Sequence, residues 1–152
     1  MGNQWLKFGG ILSFAVALLH VVVIFVGASA YRYFGAGEEM ARAAESGSAF
    51  PAVLTLVLVG IFAIWGFYGL SGAGVIRRLP LLKIALILIG AVYTLRGVAI
   101  FQQLFQVATS SVEVAPRQIV FSLVSLVIGL AYLIGIVTSW RSLGASNRFV
   151  QT

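Results

Sequence analysis

Residues 81–105 read LLKIALILIGAVYTLRGVAIFQQLF, and Lys83 and Arg96 are the charged side chains in that stretch. A run this long and this apolar is expected to be an α-helix crossing a bilayer, since a hydrocarbon core about 30 Å thick takes about 20 residues at 1.5 Å each. Tyr93, Arg96 and Gln103 within it and Gln106 just after it recur at spacings of three and seven, which puts them on one helical stripe. A hydrogen-bonding group costs free energy in hydrocarbon and normally turns inward, so this stripe is expected to face protein.

Three further runs of similar character lie at 8–30, 52–74 and 118–140. Overall, 61% of the 152 residues are hydrophobic and 9% are charged. A soluble chain has about 45–50% apolar and about 25% charged residues, so water is excluded as the main solvent. The fold expected is an all-α integral membrane protein, a four-helix up-down transmembrane bundle in one domain over residues 1–152, its neighbours antiparallel because the connections are short. Pro51, Pro80 and Pro116 fall at or just before the first turn of the second, third and fourth spans, where a missing amide hydrogen costs nothing. Trp5 and Trp140 flank one side, and Tyr31, Tyr33, Phe34 and Phe50 the other, as rings at a membrane interface do.

Lys7, Arg77, Arg78, Lys83, Arg141 and Arg148 fall on the side of the termini and of the tight loop 75–80. The opposite loops, 31–51 and 106–117, hold Arg32, Arg42 and Arg117 together with the acids Glu38, Glu39, Glu45 and Glu113. The positive-inside rule then makes both termini cytoplasmic, in a plasma membrane or bacterial inner membrane. The formal net charge of +6 is on this reading a topology signal that favours anionic membrane lipids, and no nucleic-acid partner is expected because no folded basic domain has room to exist. Lys7, an apolar stretch and Ala28-Ser29-Ala30 imitate a cleaved secretory signal, but the stretch outruns a signal core of roughly 7–15 residues and is read as a retained span. In the first outer loop, 38–46 is expected to form a short helix with its acids near the start, where the helix dipole favours them.

Small and polar residues mark the inner faces of the other spans: Ser13, Ala17, His20 and Gly27; Thr55, Phe62, Gly66 and Gly69; Ser122, Ser125, Gly129 and Tyr132. His20, Arg96 and Ser125 fall at about the same depth, roughly 18–20 Å from the inner boundary. Arg96 carries the most information, because a guanidinium near the bilayer centre costs about 2.5–3.5 kcal/mol unless something compensates it. One reading makes it the anchor of an outward-opening polar cavity lined by His20, Tyr93, Arg96, Gln103, Ser122 and Ser125, which binds or transports an anionic amphiphile or lipid headgroup. The other makes the chain an accessory or structural subunit of a larger membrane complex. There Arg96 locks the bundle or reaches toward Glu38, Glu39 or Glu113, and the partner is another membrane protein or a second copy. Gly69 with Ala73 and Ala131 with Gly135 are small-xxx-small pairs, read first as packing within the bundle. Tyr68 and Tyr132 are read as packing residues as well.

Enzymatic chemistry has little to stand on. There is no cysteine and one histidine, so thiol catalysis, zinc–thiolate sites and a two-histidine metal site in one chain are excluded. No span contains a carboxylate, no nucleophile elbow or phosphate loop occurs, and no catalytic residue, metal or cofactor is expected.

Overall fold

The computed structural model describes residues 3–109 and 115–144, which are helical with no strand among them. Glu113 and Arg148, assigned above to the outer and inner sides, lie outside the described residues. The elements are α1 (Gln4–Val26), α2 (Ala28–Phe34), α3 (Glu38–Glu45), α4 (Phe50–Gly72), α5 (Leu82–Ala108), α6 (Pro116–Thr138) and α7 (Trp140–Gly144). Of these, α1, α4, α5 and α6 are long and apolar enough to cross a membrane. The protein is therefore membrane-embedded, with an all-α fold and four candidate spans among the described residues.

The first span begins four residues before its apolar run and stops four residues short of the expected end. Its start is fixed by Asn3, whose Oδ1 accepts from the amides of Trp5 (3.0 Å) and Leu6 (3.2 Å). These are two donors that the first helical turn would otherwise leave without partners. Its end is fixed by Gly27, at φ +76°, a conformation that costs a residue with a Cβ roughly 1–2 kcal/mol. The chain turns there and restarts as α2. Pro51 lies in the first turn of α4 and Pro116 opens α6.

The residues group into two compact units. One comprises residues 1–11 and 66–152, the other residues 12–65. In the first, α5 and α6 run antiparallel with their backbones nearly touching. A Cβ on Gly97 would lie 2.5 Å from Leu126 Cα, one on Gly129 would lie 2.6 Å from the Thr94 nitrogen, and one on Gly90 would meet Leu133 Cδ2 at 3.1 Å. Each step along α5 is matched by an equal step back along α6, which defines the register. Extended toward the termini, that register brings Lys83 level with Trp140, and the Lys83 ammonium sits 3.2 Å from the centre of the indole ring. The start of α1 and the end of α4 touch through Gly10 and Gly69, where an added Cβ on Gly69 would be 2.6 Å from Gly10 Cα. Small residues let apolar helices approach this closely, and in lipid that contact replaces a hydrophobic driving force.

The second unit has its own small core of Val23, Ala30, Tyr31 and Ala41, flanked by Ala28, Phe34, Met40 and Ala44. Tyr31, expected as an interface ring, is instead 2% exposed. Thr55 Oγ1 donates back to the Pro51 carbonyl at 2.8 Å, so the Tyr31 hydroxyl, 3.3 Å away, donates to Thr55 Oγ1.

Candidate functional site

Along α6 the whole expected stripe, Ser122, Ser125, Gly129 and Tyr132, is buried. Ser125 donates to the Phe121 carbonyl one turn back at 2.9 Å, so its hydroxyl is committed to its own helix. Tyr132 is fully buried, and its ring lies parallel to that of Tyr93 (6.2 Å between centroids, 9° between planes). The same tyrosine is in reach of Gly9 and Gly69, where added Cβ atoms would meet its Cε2 at 3.0 Å and its hydroxyl at 2.9 Å. Tyr93 and Tyr132 are thus consumed in packing α1, α4, α5 and α6 together in this unit.

The stripe on α5 does not hold together as expected. Tyr93 is buried, Gln103 and Gln106 are half-buried, and Arg96 is exposed. The reason is angular: the buried residues of α5 are Leu82, Leu86, Ile89, Gly90, Tyr93, Gly97 and Ile100, and at 100° per residue Arg96 falls at the margin of that arc rather than at its middle. Among the described residues no hydrogen bond or ion pair of Arg96 is found. Gln103 Oε1 is buried without a hydrogen-bond partner among them, and so is Thr94 Oγ1. Arg96 lies 13 residues from Lys83 and 10 from Gln106, about 20 Å and about 15 Å along the helix. By the α5–α6 register Gln106 is level with Arg117, so Arg96 stands close to the middle of the span.

His20 belongs to the second unit. Its Nδ1 lies 2.8 Å from the Val16 carbonyl one turn back. A carbonyl only accepts, so Nδ1 carries the proton. The imidazole packs on Phe62 (4.9 Å, 40°), which meets Trp65 edge-on at 5.3 Å. The hydrogen bond is therefore to its own helix and not to the residues expected to share a cavity with it. Of the six candidate residues, Tyr93, Arg96, Gln103, Ser122 and Ser125 belong to the first unit and His20 to the second.

Two polar clusters escaped the sequence reading. At the end of the first unit where α1 starts and α6 finishes, Asn3 Nδ2 donates to the Gly135 carbonyl (2.7 Å) and to Ser139 Oγ (2.5 Å). Arg78 donates to the carbonyls of Ser142 (3.0 Å) and Leu143, and Ser71 takes the Leu79 amide (2.9 Å) while donating to the Arg77 carbonyl (3.1 Å). A guanidinium on the last carbonyls of a helix also complements its dipole. Asn3 just before an apolar run is a cap signature that could have been read; its second bond, across the chain, could not.

The other cluster joins α2 to α3. Arg32 takes Glu38 with two nitrogens (2.8 and 2.9 Å) and Glu45 with two contacts (2.5 and 3.1 Å), and Arg42 reaches Glu38 at 3.2 Å. The hydrogen bonds from Arg32 hold the Glu38 carboxyl down at about 2 and lower that of Glu45 also, while the two carboxylates raise Arg32. Among the described residues no group of three or more metal-binding side chains occurs. No family model, curated protein or solved structure matches the chain.

Proposed function

We propose that this protein is a non-enzymatic accessory subunit of a larger membrane complex, with both termini on the cytoplasmic side of a plasma or bacterial inner membrane. The observation that carries the reading is the pairing of a closed interior with an open cation. Tyr93, Ser125 and Tyr132 are spent on packing and internal hydrogen bonds, while Arg96 is exposed near mid-span without a partner among the described residues. An intramembrane charge held in this way needs a compensating group that the described residues do not supply. The orientation rests on Lys7, Arg77, Arg78, Lys83 and Arg141, which share the end where the chain begins. Purification from host membranes in mild detergent tests the reading: a second protein retained in fixed proportion is the expected result, and a chain that runs alone is the opposing one.

A second reading keeps an anionic amphiphile or lipid headgroup as the ligand, now drawing on Arg96 and Gln103 of the first unit alone. What favours it is Gln103 Oε1, a buried acceptor with no described partner, seven residues from Arg96 on the same helix. Such an atom is costly unless a donor reaches it. Mass spectrometry of molecules retained through purification separates the two readings, since the second requires a stoichiometric amphiphile and the subunit does not.

A further inference from the structure

We infer that Arg96 is the docking residue for an acidic side chain near the middle of a transmembrane helix in a different protein. The inference deepens the accessory-subunit reading and rests on it.

Three observations lead there. The first is depth. Arg96 is about 15 Å along α5 from Gln106, the nearer polar end of the pair, and an extended arginine side chain covers roughly half of that distance. In a helix each Cα–Cβ bond also leans toward the N-terminus, which for Arg96 is the direction of Leu82 and away from Gln106. A headgroup phosphate at the nearer surface is therefore both too far and on the wrong side of the side chain's natural direction.

The second is the chain's own charge inventory. Every acid of the sequence, Glu38, Glu39, Glu45 and Glu113, lies outside the four spans. Glu38 and Glu45 are already occupied by Arg32. Among the described residues no carboxylate lies at the depth of Arg96, and a second copy would set another arginine there. The occupant that charge complementarity selects is a different protein.

The third is the surface around the guanidinium. Leu88 and Val92, eight and four residues before Arg96 along the same side of the helix, and Leu95 beside it are exposed and apolar, a face suited to a second apolar helix. An arginine's planar donors take a carboxylate through two parallel hydrogen bonds, which fixes rotation and depth together.

The test uses the full chain, donor-labelled and reconstituted at pH 8 in phosphatidylcholine vesicles with an acceptor-labelled leucine–alanine helix carrying one central glutamate. Energy transfer is expected to report association at least tenfold tighter for that helix than for the same helix with a central glutamine, and the margin is expected to vanish in Arg96→Leu. Unfolding of Arg96→Leu, measured alongside, is expected to match the native chain because the side chain is exposed. Equal association of the two helices, or a glutamate preference that survives Arg96→Leu, overturns the inference. So does loss of the preference when phosphatidylglycerol replaces part of the phosphatidylcholine, since the arginine is then satisfied by headgroups. If a native partner copurifies equally well with Arg96→Leu, the subunit reading stands and this inference falls; if nothing copurifies with the native chain, the subunit reading itself falls.

Discussion

The ring of Tyr132 lies against Gly9, so close that a methyl group on that glycine would stand 3.0 Å from Cε2. One buried aromatic on α6 thereby meets the backbone of α1, while its hydroxyl faces Gly69 on α4 and its other flank stacks on Tyr93 of α5. The contact works only because α1 and α4 present no side chain there. Lipid tails are as apolar as leucine, so what holds the unit is fit rather than avoidance of water.

Removing that ring is expected to be costly. Tyr132→Ala leaves a cavity bounded by backbone, and about 3 kcal/mol is expected, the low end of aromatic truncations because burial from water adds less here. Tyr132→Phe keeps the ring and is expected to lose no more than about 1 kcal/mol. Thermal unfolding in a single detergent, followed by far-UV circular dichroism, ranks the two; similar losses would mean that the hydroxyl rather than the ring is the contact that matters.

The glycines divide by the same logic. Gly69→Ala drives a methyl to 2.6 Å from Gly10 Cα, a clash with backbone that no rotamer relieves, whereas at Gly60 nothing lies within 4 Å. Overpacking of this kind costs about 1–3 kcal/mol, while alanine for an open helical glycine is favourable by up to about 1 kcal/mol. Gly69→Ala is thus expected to lower the unfolding temperature and Gly60→Ala to leave it unchanged or raise it. Opposite signs for one chemical change are the discriminating result.

Four spans, their approximate limits and the short helix at 38–46 were legible because lipid imposes one rule over the whole chain: apolar residues in runs of fixed length, with prolines and charges at the ends. The same rule explains the misreading of Arg96. Periodicity placed it with Tyr93, three residues away, yet three residues on a helix are 60° from superposition, enough to carry a side chain from the buried arc to its margin. The break at Gly27 was hidden since Val26 and Ala28 on either side are apolar and hydropathy says nothing of φ. Nor does an isolated arginine in a loop, such as Arg32, announce that two acids six and thirteen residues later will converge on it.

Asn3 joins local and long-range structure in one side chain, capping α1 with its oxygen while its nitrogen holds Gly135 and Ser139. Asn3→Asp keeps the acceptor and discards the donor; Asn3→Ala discards both. Loss of a cap costs about 1 kcal/mol and an orphaned partly buried acceptor about the same again. Asn3→Asp is therefore expected to fall between the native chain and Asn3→Ala in unfolding temperature. If Asp matches native, the bonds to Gly135 and Ser139 contribute nothing.

The α2–α3 clasp carries a pH signature of definite sign. Arg32 holds the Glu38 carboxyl at about 2, below its ordinary 4.5, and lowers Glu45 in the same direction. A group depressed in the folded state favours that state whenever it is ionised, so its contribution is complete above about pH 4.5 and drains away as pH falls toward 2. Amide exchange in α2 and α3 is therefore expected to be steady from pH 7 to 5 and to gain openings between pH 4.5 and 2, after correction for intrinsic rates. Both carboxylates are solvent-accessible, so salt at high concentration should weaken the clasp as well. Arg32→Gln removes the cause of both shifts and is expected to abolish the acid-dependent component while leaving Tyr31 and Thr55 bonded beneath. An acid transition that persists in Arg32→Gln would place the titrating group elsewhere.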